Sequence, residues 1–149
     1  MKEKINFEKQ CNEAKMWINN ISAELRHPDK PEWGYKVLTA VLHTIRDRTT
    51  IEEVFHLSAQ LPVLIRGIYF ESYKPTGKPI KMSSEEFLKS IKFKMGPAPV
   101  ISATEALRAV LTVLYEKTSS GEMDDIRGLM PKDIQKLWDK LMAAENEME

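Results

Sequence analysis

One cysteine in 149 residues, no charge of one sign in excess and no long apolar run set the first limits on this chain. A single thiol, Cys11, cannot close an intramolecular disulfide. No oxidising compartment is required, and the cytoplasm is the expected location. The apolar runs fall far short of the roughly 20 residues that a bilayer-spanning helix needs, so no membrane partner is expected. The opening MKEKINFEKQ carries charge with no apolar stretch behind it, which does not read as a secretory leader. Lys+Arg and Asp+Glu both number 22. Zero net charge argues against a protein dominated by non-specific phosphate binding. The chemistry-bearing motifs are missing as well: there is no CxxC, HxxxH, HExxH, GxSxG, P-loop or GxGxxG. The sequence therefore implies no metal, no cofactor and no catalytic group, and a non-enzymatic protein is expected. What remains is ordinary globular composition, with 42% apolar and 30% charged residues.

What is present is a repeat. Displaced by 69 positions and without a gap, Leu38, Ala40, Val41, Leu42, Thr49, Glu53, Pro62 and Ile65 fall on Leu107, Ala109, Val110, Leu111, Thr118, Glu122, Pro131 and Ile134. Other pairs keep their chemistry, among them Asp47/Glu116, Arg48/Lys117, Leu57/Ile126 and Tyr69/Trp138. A duplicated helical unit sets the architecture before any local reading is made.

Apolar spacing then fills in the helices. Residues 6–27 carry Phe7, Cys11, Ala14, Ile18, Ile21 and Leu25 at helical intervals with Trp17 beside them, and His27-Pro28 stops the run. Cys11 reads as a core residue on this register. Residues 28–33 read as a loop. The first unit spans 34–73. Its first helix turns Val37, Leu38, Val41, Leu42 and Ile45 inward, its second carries Ile51, Val54, Leu57 and Leu61, and its third starts at Pro62 and runs to about Tyr73. Thr49 or Thr50 with Glu53 reads as a capping box, matched by Ser119 and Glu122. Residues 74–96 hold a turn-rich connector and a short helix, opened by Ser83 and Glu86, with Phe87, Leu88 and Ile91 on its apolar face. The second unit, 102–142, repeats the plan with Leu107, Val110, Leu111 and Leu114, then Met123, Ile126 and Met130, then Ile134, Leu137, Trp138 and Leu141. The tail AAENEME is acidic and reads as frayed. The expectation is one all-α domain, 1–149: a bundle of about eight helices built from two pseudo-symmetric three-helix units.

The segment 40–75 carries His43, Arg46-Asp47-Arg48, His56-Leu57, Ala59-Gln60-Leu61-Pro62 and Arg66-Gly67-Ile68-Tyr69. In these elements, and in Phe87-Leu88, the chain resembles the bacterial domain-of-unknown-function family 2267. In the second unit Gly128-Leu129-Met130-Pro131 stands where the family pattern prefers Gln-Leu-Pro. The resemblance implies an all-helical, two-unit bundle in a bacterium, and no activity, substrate or partner.

The two copies differ most in their third helix. In the first, Val63, Arg66, Phe70 and Tyr73 form a second stripe behind Ile65, Ile68 and Tyr69, whereas Lys132 and Asp139 replace Val63 and Phe70 in the other copy. Two readings follow. Either this helix is central and enclosed between the units, or the stripe is a contact surface for a protein partner or for self-association. The preferred function is the second: an interaction or regulatory module. A small-ligand-binding domain is the alternative, with Tyr69, Tyr73, Trp33 and Met95 lining an apolar pocket. Nucleic-acid binding through Lys74, Lys78, Lys81, Lys89, Lys92 and Lys94 ranks third, because only Phe93 there could stack on a base. His43 and His56 fall opposite the apolar faces of their helices and are expected to face outward. Arg46-Asp47-Arg48 reads as a solvated helix end favouring the macrodipole.

Overall fold

The computed structural model describes residues 5–147, and every element among them is a helix. The first four residues of the opening segment and the last two of the acidic tail lie outside the described residues. In chain order the helices are α1 (Phe7–Glu24), α2 (Pro31–Arg48), α3 (Ile51–Ser58), α4 (Val63–Phe70), α5 (Ser84–Met95), α6 (Ala103–Lys117), α7 (Ser120–Gly128) and α8 (Lys132–Glu147).

The helices centre on α2 and α6. Val37, Leu38, Val41, Leu42 and Ile45 of α2 are fully buried, as are Leu107, Val110, Leu111 and Leu114 of α6. These are the inward residues expected from spacing. α1 lies along α2 and also reaches α4 and α6, and α5 bridges α2, α6 and α8. Helix ends recur at a constant separation of 69 positions: α2 and α6 end at 48 and 117, α3 and α7 begin at 51 and 120, α4 and α8 at 63 and 132. Side-chain bonds recur at the same separation. Arg66 NH2 donates to the Leu61 carbonyl at 2.9 Å, and Gln135 Nε2 donates to the Met130 carbonyl at 2.9 Å.

Several expectations need correction. Phe7 is 72% exposed and Cys11 is exposed, because burial on α1 starts only at Ala14. Cys11 is therefore not a core residue. α2 starts at Pro31, inside the stretch read as a loop: proline suits the first helical turn, where its missing N–H has no partner to lose. α4 stops at Phe70, before Tyr73, and Ser72 has φ +60. Ile51 is 41% exposed and does not join Val54, Leu57 and Leu61 inside.

The capping boxes also divide. Ser83 and Glu86 form a complete one at the head of α5. At α3 and α7 only half forms: Thr50 and Ser119 accept from the Glu53 and Glu122 backbone N–H. The Ser119 N–H is already taken by Gln60 Oε1 at 2.6 Å, so Glu122 has no donor to return to. Its carboxylate turns toward that of Glu53.

Gly34 sets how closely α1 and α2 cross. A Cβ there would overlap Ser22 Oγ and the Ile18 carbonyl, and Ser22 is itself fixed by a 3.0 Å bond to the Lys30 carbonyl. The Ile18 carbonyl is backbone and cannot swing aside. Gly34→Ala should therefore cost roughly 1–3 kcal/mol, the range of overpacked core sites, despite alanine's better helix propensity. Urea unfolding of the two forms checks this.

Candidate functional site

The most distinctive surface lies on α3 and α4, and it begins with the groups that hold α4 in place. The last turn of α4 leaves carbonyls without intrahelical partners. Two side chains of α2 meet them. His43 Nε2 donates to the Ile68 carbonyl at 2.7 Å. One guanidinium nitrogen of Arg46 donates to the carbonyls of Tyr69 at 2.8 Å and Glu71 at 2.9 Å, while Nε pairs with Asp47 at 2.9 Å. Arg46 is 4% exposed and its guanidinium lies 5.1 Å from the Tyr73 ring centroid. Both residues correct the expectations from sequence. Arg46 is not a solvated charge at its own helix end, and His43 is half-buried against a neighbouring one. At the other end of α4, Arg66 donates from Nε to the Ser58 carbonyl at 2.7 Å and from NH2 to Leu61, closing the α3–α4 corner. Tyr69 crosses beneath, its hydroxyl donating to the Val54 carbonyl at 3.1 Å.

Held this way, α4 is not enclosed on all sides. Val63 is 54% exposed and Leu64 43%, while Arg66, Phe70 and Tyr73 are half-buried. The reading of α4 as a central core helix is thereby overturned. On α3, Phe55 is 57% exposed and Ile51 lies one turn before it on the same side. The rings of Phe55 and Phe70 approach to 5.6 Å, and those of Phe70 and Tyr73 to 6.3 Å. An aromatic ridge thus runs across two helices. Phe55 was missed from sequence, since its helix was read only for its buried face. Its counterpart by repeat, Asp124, is charged, and that contrast was the available signal.

On the flank of α3 toward α7, three ionisable groups meet. Ligand-capable atoms of Glu53, His56 and Glu122 all lie within 4.8 Å of one another, and His56 Nδ1 is 3.4 Å from Glu53 Oε1. His56 is exposed, as expected. Burial and the adjacent Glu53 carboxylate push the Glu122 carboxyl up to about 7. The offset of 69 positions pairs Glu53 with Glu122 in sequence, but only the packing of α3 on α7 brings them together.

A family model described as an uncharacterized conserved protein, DUF2267, matches residues 14–137. The chain belongs to this family. No curated protein matches it. The residues that carried the DUF2267 resemblance now have physical tasks. His43, Arg46 and Arg66 satisfy helix-end carbonyls, Asp47 accepts from Arg46, and Gln60 caps the start of α7 through Ser119.

The residues expected to line a ligand pocket do not converge. Tyr69 and Met95 are fully buried among core side chains, while Trp33 packs on His27 at 4.7 Å and beneath Lys30 at 4.1 Å. In the lysine-rich segment, Lys92 donates to the Ile101 carbonyl at 2.8 Å, Lys94 lies 3.6 Å from Asp47, and Lys89 pairs with Glu85 at 3.2 Å.

His43 gives this arrangement a pH dependence. Burial holds its imidazole below the usual range, more than the bond to Ile68 restores, and Arg46 and Lys94 push the same way. The unfolded chain then binds a proton, at about pH 6.5 and somewhat below, that the folded chain refuses. This contribution to stability is complete above about pH 6.5 and is lost as pH falls toward the lowered value. His43→Gln keeps an amide donor for Ile68 and removes the titration. Urea midpoints at pH 5.5 and 7.5 should show wild type losing its advantage over the variant at the lower pH.

Proposed function

We propose that this chain is a non-enzymatic interaction module that docks an apolar segment of another protein, or a second copy of itself, on the α3–α4 face. The observation that supports the reading is the contiguous ridge of Phe55, Phe70 and Tyr73, with exposed Val63 two turns earlier on α4. Single exposed apolar side chains are ordinary, and Phe93 at 87% exposure needs no explanation of its own. Aromatic rings in contact across two helices and still open to solvent are a different case, because such groups anchor interfaces. Arg66 serves the surface indirectly, by fixing the α3–α4 corner, and the ridge rather than the guanidinium supplies the contact. Among the described residues no helix is long and apolar enough to cross a membrane. The same reading assigns the chain to the cytoplasm of a bacterial cell, where a lone thiol needs no disulfide partner.

Phe55 is the residue to change, since it carries the ridge and little of the core. Phe55→Asp should leave the melting temperature within about 2 °C of wild type, as surface substitutions do. It should also abolish recovery of a partner from host lysate, or any concentration-dependent self-association seen in sedimentation velocity. Identical recovery and identical sedimentation for the two forms would remove the α3–α4 face from consideration.

A further inference from the structure

The contact between α3 and α7 gathers a chemical group of its own. Glu122 is only 9% exposed, and its Oε2 is buried without a hydrogen-bond partner. Glu53 Oε2 is in the same condition, and its side chain is 16% exposed. Buried carboxylate oxygens without a partner are costly unless a proton or a cation meets them. We propose that Glu53, His56 and Glu122 bind a divalent first-row transition ion, with Zn2+ as its representative.

The donor set selects that class. Magnesium and calcium take oxygen ligands, whereas an imidazole with two carboxylates suits zinc and its neighbours. A divalent charge also balances both carboxylates at once, which a shared proton cannot do. Glu53 and His56 are separated by three positions on α3, so both side chains rise from one face of the helix. Glu122 closes the site from α7 at the equivalent position of the repeat. Donors about 2.1 Å from a tetrahedral ion stand about 3.4 Å apart. The pair His56 and Glu53 already meets that spacing at 3.4 Å. The ligand-capable atoms of all three residues lie within 4.8 Å of one another. His56, 54% exposed, leaves the outer side open to water as a further ligand. Asp125, the counterpart of His56 in α7, adds negative field at Glu122.

The test titrates Zn2+ into the metal-stripped full chain by calorimetry, with melting temperatures read alongside. One site per chain is expected, with a rise in melting temperature of about 5 °C at saturating zinc. His56→Ala and Glu122→Gln should each weaken binding tenfold or more. His56 lies on the surface, so its variant folds and decides the question even if Glu122→Gln does not. Absence of zinc binding, or binding of unchanged strength in a folded variant, would overturn the site and leave a shared proton between the two carboxylates.

Discussion

The guanidinium of Arg46 is the constraint on which the α3–α4 face depends. It sits buried at the end of α2 and faces the carbonyl end of α4. A buried charge without partners would be expensive, and here it is met by two carbonyls, the Asp47 carboxylate and the Tyr73 ring. α4 is only eight residues long, too short to persist by its own propensity. It stands because α2 closes its last turn, Arg66 closes its first corner, and Ile65 and Tyr69 are buried beneath it. Phe70 and Tyr73 reach the surface at the point where Arg46 holds the chain.

Compared at an offset of 69 positions, the two halves of the sequence place different groups at matching points. In the second unit Tyr115 stands at the position of Arg46, and Trp138 at that of Tyr69. There Trp138 Nε1 donates to the Tyr115 hydroxyl at 3.0 Å, an aromatic pairing in place of the buried cation. α8 continues for 16 residues and supports itself by length and a single apolar stripe. α4 is shorter, and with Val63 and Phe70 where α8 has Lys132 and Asp139 it presents apolar surface to solvent. A glutamate three positions after the N-cap stands on each side of the α3–α7 contact. Glu53 and Glu122 meet there, and their proximity helps hold the Glu122 carboxyl up near 7.

Much of the fold was legible in the sequence for a simple reason. Leu38 and Leu107, Val41 and Val110, Leu42 and Leu111 obey helical spacing and the repeat together, and two independent signals agreed. The errors arose where one signal stood alone. Cys11 matched the apolar register of α1, but register cannot say where along a helix the neighbours begin. Arg46 and His43 looked solvated because charge predicts exposure unless a partner is known, and their partners lie more than twenty positions away in α4. The stripe on α4 could be read as core or surface, since apolar character alone does not say what covers it. Phe55 was invisible to a search for buried faces. The meeting of Glu53 with Glu122 follows only from the packing of α3 on α7.

The central claim is that Arg46 holds α4, and with it the aromatic ridge, to the α2–α6 core. Native-state hydrogen exchange of Arg46→Met tests it most directly, since methionine keeps much of the stem's volume and offers no donor. The account predicts a selective loss of protection at the amides of α4, ten-fold or more in opening equilibrium for a loss of about 1.4 kcal/mol or greater. The amides of α6 should keep theirs. Equal loss across α4 and α6, or no loss in either, would contradict it.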